Sequence, residues 1–265
     1  MRRSQMTKAV ATALAIVGLS SGLALAAGDV TPPPKQDWDF SGPFGTFDRA
    51  ALKRGYQIYD EVCSGCHSLS LVAYRNLTAI GFSEDEVKAL AAEKEVPADP
   101  NEDGETHDDE GSRIMRPAIP ADRFVEPYAN ENAAKAANDG AVPPDLSLMT
   151  KARKDGHNYL YALLTGYKEE APEGKEVPDG KYYNEYFPGH AIGMAPPLDD
   201  ESVEYEDGTK PTLDQHAKDI VTFLNWAAQP ELEERKQMGL KVLLFLIVLT
   251  AMLYALKRKI WSDVH

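Results

Sequence analysis

Both cysteines of this 265-residue chain fall within five residues, Cys63-Ser64-Gly65-Cys66-His67. Two thiols separated by two residues and followed at once by an imidazole form the pattern that adds across the two vinyl groups of a haem and offers a nitrogen to its iron. Two other chemistries use a C-x-x-C pair. A thioredoxin-like redox pair needs a strand and a βαβ setting, which the flanking sequence lacks. A zinc site needs further cysteines or paired histidines, which are also missing. The motif therefore predicts one covalently bound haem c, attached through Cys63 and Cys66, with His67 as one axial ligand.

A haem gripped on both faces needs a second ligand, and the sequence offers Met115, Met149, Met194, His107, His157, His190 and His216. Met149 lies in the apolar helical stretch LSLMT, where Met is a common core filler. His216 falls on a predicted helix and His107 in an acidic loop. Met194 stands in His190-Ala191-Ile192-Gly193-Met194-Ala195-Pro196-Pro197, where Gly lets the backbone approach a flat ligand and Pro-Pro stiffens the loop that carries the sulfur. Pattern places Met194 first and His190 next. A His/Met pair would raise the reduction potential and fill both axial positions, leaving none for O₂ or peroxide. A haem enzyme such as a peroxidase would instead need an open or displaceable sixth position, and a lone membrane-tethered shuttle would need no complex around it.

The elements that must hold these residues read as mainly helical. FDRAALKRGYQIYDEV, residues 47–62, places Leu52, Tyr56 and Tyr59 at helical spacing and leads into the motif. Ser83 with Glu86 forms a capping-box pattern at the start of another helix, after which PADPNEDGETHDDEG reads as loop. Helical patches follow at 131–137 and 146–166, a Gly-, Pro- and Tyr-rich loop at 167–211, and a strong helix from Thr212 to Ala228. Residues 27–46, with Pro32-Pro33-Pro34, read as an extended lead-in. No strand run and no internal repeat stands out.

Both ends differ from this body. Residues 1–26 carry Arg2, Arg3 and Lys8, then an apolar run, then Ala24-Leu25-Ala26, the pattern of a cleaved secretory signal. Its removal would shift the formal charge from −14 to −17. Gly239 to Leu256 is an apolar stretch whose one charge, Lys241, lies near an edge, and Lys257-Arg258-Lys259 follow it. That reads as a membrane span with its C-terminal side in the cytoplasm and the body outside. The expected layout is a signal peptide at 1–26, a periplasmic cytochrome c domain at 27–228 with an acidic insertion at 84–110, a collar and anchor helix at 229–256, and a cytoplasmic tail at 257–265.

The charge balance, 28 Lys and Arg against 42 Asp and Glu, argues against nucleic acid as a partner, since phosphate binding needs clustered cations. Residues 84–110 hold 12 acidic side chains against Lys88 and Lys94. An acidic surface suits a basic protein partner, with attraction screened over about 8 Å at physiological ionic strength. For 99–110 a merely solvated face is the plainer reading.

PPDLS at 143–147, LLTGY at 163–167, YFPGHAIGMAPP at 186–197 and WAAQPELEERKQMGLK at 226–241, followed by the single span, together resemble the cytochrome c1 family in its alphaproteobacterial form. This family is the haem subunit of the quinol:cytochrome c reductase (bc1) complex, and the resemblance covers nearly the whole mature chain. It implies a mainly α c-type cytochrome fold with long loop insertions plus one C-terminal transmembrane helix. It also implies His67 and Met194 as axial ligands. Where the family has an Arg on a haem propionate, the aligned residue is read here as Lys135, which keeps the charge and loses the planar fork. The implied role is electron transfer rather than catalysis by the chain alone, taking one electron from the Rieske iron–sulfur protein and passing it to cytochrome c. The implied partners are cytochrome b, the Rieske protein, cytochrome c and membrane lipid, at the inner membrane. The acidic insertion is longer than the family leads one to expect.

Overall fold

The computed structural model of the chain describes residues 31–264, so the signal reading of 1–26 lies outside the described residues. The core is a crossing of two helices. α1 (Arg49–Ile58) starts where the Asp48 carboxylate accepts the Ala50 amide at 2.9 Å, and it buries Leu52, Gly55, Tyr56 and Ile58 on one face. α6 (Leu213–Ala228) starts where the Thr212 hydroxyl accepts the Gln215 amide at 3.2 Å, and it buries Ile220, Val221, Phe223, Leu224 and Trp226. They meet at Gly55, where a Cβ would overlap the Asp219 carbonyl and Phe223 Cβ. Only Gly permits so close a crossing. Arg54 fastens the same contact, reaching Asp219 with two nitrogens at 2.8 and 3.0 Å and Asp207 with a third at 2.8 Å. The hydrogen bonds that Arg54 donates to Asp219 raise the guanidinium pKa against the opposing cost of burial, so Asp219, which is 1% exposed, keeps a charged partner.

The first helix does not run to residue 62 as α-helix. After Ile58 the chain widens into a π turn, Tyr59–Cys63, in which the Ser64 amide donates to the Tyr59 carbonyl at 2.8 Å. Such widened turns recur at functional sites. A 3₁₀ segment, Tyr74–Ile80, and α2 (Glu84–Ala92) follow. α2 has the capping box its sequence predicts, with the Glu86 amide on the Ser83 hydroxyl at 3.2 Å and the Ser83 amide on the Glu86 carboxylate at 2.6 Å. α3 (Glu131–Ala137) matches its predicted span. The 146–166 patch is divided into α4 (Met149–Ala152) and α5 (Gly156–Thr165) by Asp155, which takes a positive φ of 52°.

Two short antiparallel sheets correct the expectation that the chain has no strands. β1 (Glu95–Pro97) pairs with β2 (Met115–Pro117), so the loop expected after α2 is carried at the end of a short hairpin arm. Its base is fixed by the Ala118 amide on the Lys94 carbonyl at 2.8 Å and by a Lys94–Asp60 ion pair at 2.7 Å. β3 (Tyr182–Tyr183) pairs with β4 (Ala191–Ile192) inside the predicted 167–211 loop. Strands of two or three residues carry too little alternation to be recognised from sequence.

α7 (Leu232–Ile260) is a 29-residue helix long and apolar enough to cross a membrane, and its apolar segment is unburied by the rest of the chain. Its first turns dock on the body. Leu232 is buried, and Glu233 and Lys236 reach residues 40–49.

Candidate haem site

The π turn delivers the motif. The amides of Cys66 and His67 both donate to the Cys63 carbonyl, at 3.1 and 2.9 Å, which turns the chain tightly between the two thiols. Cys63 is half-buried and Cys66 exposed, both as free thiols. Burial, helped by the neighbouring Cys66, pushes the Cys63 thiol up to about 12, so its sulfur sits neutral in an apolar setting that equally suits a thioether. Between them, a Cβ on Gly65 would meet nothing within 4 Å, leaving the face of the turn open to a flat group.

His67 Nδ1 lies 2.8 Å from the Pro144 carbonyl. A carbonyl only accepts, so Nδ1 carries the proton. Burial lowers the imidazole pKa and keeps the ring neutral, which leaves the Nε2 lone pair for a metal. The segment that supplies Pro144 is joined to the motif along its length. Asp145 accepts from the Ser68 hydroxyl and the Ser70 amide at 2.9 Å each, the Leu146 amide donates to the Ser68 carbonyl at 2.9 Å, and the Leu71 amide donates to the Ser147 hydroxyl at 3.1 Å. Burial pushes the Asp145 carboxyl upward, and hydrogen bonds from Ser147 and Ser70 outweigh it, bringing the group down to about 2. From behind, the buried Tyr59 donates to the His67 carbonyl at 3.2 Å and stacks on Phe124.

Met194 follows β4 and is partly buried against the core cluster. The Tyr167 hydroxyl donates to its carbonyl at 3.1 Å. Gly193 lies close to Ala141, since a Cβ there would be 3.9 Å from Ala141 Cβ, and Ala141 stands three residues before the Pro144 that holds His67. Asn184, fully buried, braces the hairpin behind Met194. Its Nδ2 donates to the Leu163 carbonyl at 2.7 Å, and its Oδ1 accepts the amides of Tyr186 and Phe187 at 3.0 and 3.2 Å.

The other sulfur and imidazole positions have work elsewhere. His190 is buried at the hairpin corner with φ 60°, its Nδ1 is 3.3 Å from the Asn184 carbonyl, and its ring stacks on Tyr183. His216 is fully buried with Nδ1 2.7 Å from the Tyr205 hydroxyl. His157 packs edge-on to Trp38 and Phe40, His107 pairs across the acidic arm with Arg113, Met149 is in the core and Met115 is on β2. Lys135 is an exposed residue of α3, 3.6 Å from Glu131. Pro144, Asp145, Tyr167 and Asn184 are the positioning residues that site-by-site reading of the sequence missed. Membership of PPDLS and LLTGY marked Pro144, Asp145 and Tyr167, while Asn184 lies outside every motif the sequence singled out.

The Cytochrome C1 family model matches residues 38–264. The chain is 56% identical over 245 residues to "Cytochrome c1" of Rhodospirillum rubrum, covering 87% of this chain and 88% of that one. It is 44% identical to the "Cytochrome b-c1 complex catalytic subunit, mitochondrial" of Candida albicans, covering 100% of this chain and 93% of that one. It is 47% identical to "Cytochrome c1, heme protein, mitochondrial" of Saccharomyces cerevisiae, covering 87% and 72%. With a neutral imidazole aimed off the C-x-x-C-H turn and a match that spans nearly all of the described residues, the chain belongs to the cytochrome c1 family, haem-containing electron-transfer subunits of the cytochrome b-c1 complex.

Proposed function

We propose that this chain binds one haem c through thioether bonds from Cys63 and Cys66, with His67 and Met194 as axial ligands, and relays single electrons from a Rieske iron–sulfur protein to a cytochrome c. When bound, the haem supplies one-electron exchange at its iron. His67 would give Nε2, its ring angle fixed by the Pro144 carbonyl and its neutral form kept by burial. Met194 would give a weakly donating thioether that favours ferrous iron, carried by a loop braced at Tyr167 and Asn184. Held by both His67 and Met194, a haem would have no position left for an exchangeable small ligand. Lys135 is assigned to a haem propionate, for which its exposed ammonium would exchange its solvated Glu131 contact.

In this role the chain would sit beside cytochrome b, with the body in the periplasm, α7 through the inner membrane and Lys257-Arg258-Lys259 in the cytoplasm. The positive cluster supports that orientation, and the name of the Candida relative supports the complex. The acidic arm and the Asp199–Asp207 stretch would speed encounter with a basic cytochrome c at low salt. The observation that carries the proposal is that His67 of the C-x-x-C-H motif has its Nδ1–H bound to the Pro144 carbonyl, which leaves a metal-ready nitrogen. Acid–acetone extraction followed by a pyridine haemochrome spectrum tests it. The pigment should stay with the polypeptide, at one haem per chain and with the spectrum of two saturated vinyl groups. Extraction of the pigment refutes covalent attachment.

A further inference from the structure

Phe44 is the most exposed large apolar side chain of the described residues, at 77%, yet it does not stand on a loose loop. Gly42 takes a left-handed φ of 70°, a Cβ on Gly45 would overlap the Ser41 and Asp39 carbonyls, and the Ser41 amide donates to the Trp38 carbonyl at 2.9 Å. Phe40 and Phe47, on either side, are buried against each other and Trp38. The turn therefore directs one phenyl ring outward while its neighbours fill the core.

The tight loop is clipped to the start of α7. Lys236 Nζ donates to the carbonyls of Phe40 and Gly45 at 2.6 and 2.8 Å, and Glu233 accepts the Phe47 amide at 2.8 Å and pairs with Arg49 at 2.7 Å. The apolar run begins at Gly239, three residues beyond Lys236 and so about 4.5 Å further along the helix. The tip, Gly42-Pro43-Phe44-Gly45, has no charged side chain. Exposed Met238 and Leu240, two and four residues beyond Lys236, begin the apolar surface of α7, and Arg235 and Lys241 flank them with cations for anionic headgroups.

We propose that the 41–45 loop rests in the headgroup boundary of the bilayer that α7 enters, with Phe44 as a lipid-facing anchor that fixes the tilt and height of the haem-bearing body above the membrane. Aromatic rings are favoured at that depth, and the two clips transmit the anchor to the body. The proposal rests on α7 being a membrane span.

The test places a nitroxide at Phe44→Cys, Leu246→Cys or Asp109→Cys, one at a time. It uses the full-length haem-loaded protein with the subunits that copurify, in phosphatidylcholine–phosphatidylglycerol vesicles, with unsubstituted protein as the labelling blank. The readout is the ratio of collisions with oxygen to collisions with a water-soluble nickel chelate. The ratio at 44 is expected several-fold above that at 109 and below that at 246. A water-like ratio at 44 with a deep reading at 246 overturns the loop proposal alone. A label at 44 shielded from both probes overturns it in favour of a protein neighbour. A water-like ratio at 246 overturns the span and the proposal together.

Discussion

His67 stands at the end of a buried helix and is zipped by side-chain and backbone hydrogen bonds to residues 144–147, whereas Met194 stands on a loop beyond a two-residue strand. The first side has its geometry set by the α1–α6 core and by a neutral ring fixed at Nδ1. The second is held by one hydroxyl, Tyr167, and by one buried amide, Asn184, that replaces the regular hydrogen bonds of an extended sheet. In the proposed haem site, the difference sets a rigid attachment half beside an adjustable half. Covalent retention should depend on the first and electronic tuning on the second.

The largest expected effect breaks the attachment half. Cys63→Ala with Cys66→Ala should abolish covalent haem altogether, read as loss of haem staining in a denaturing gel. Met194→Leu should leave that staining intact and lower the reduction potential by on the order of 100 mV or more, since axial ligands set it over about 0.8 V. A potentiometric titration that finds no change would remove Met194 from the iron.

A smaller effect should separate bracing from ligation. Asn184→Ala strands the Leu163 carbonyl and the Tyr186 and Phe187 amides, a loss of about 2–4 kcal/mol. Denaturant titration should show that loss, and the Met–iron charge-transfer band should weaken while the haem stays attached. Unchanged stability would mean the hairpin is braced by other groups.

The smallest effect concerns the zip at Asp145. Its carboxyl is held down at about 2, below its ordinary 3.8, so the stabilisation it adds is complete above that ordinary value and fades as the pH falls toward 2. The stability gap between the native protein and Asp145→Asn should therefore close over that acid window. A gap independent of pH would show that the carboxylate's charge is not what holds the segment.

Much of this was written in local sequence. Ser83 with Glu86, Asn130 and Thr212 are caps that satisfy amides within three residues, so the helix starts could be read directly. The C-x-x-C-H pattern is likewise local. The π turn was not legible, because no residue signature marks the widening, and the Tyr59 that opens it stacks on Phe124, far away in sequence. The clasp between Ser68–Leu71 and Asp145–Ser147 joins residues 75 to 77 apart, a pairing no periodicity encodes. His190 looked available by its place beside Met194, yet its buried ring and positive φ make it the corner of the hairpin.

The docking of Leu232, Glu233 and Lys236 on the body bears on how a water-soluble version of this protein should be cut. A stop codon after Ala228 would leave an apolar hollow and three orphaned backbone groups at Phe40, Gly45 and Phe47, whereas one placed just past Lys236 keeps that seam closed and discards only the lipid-soluble rod.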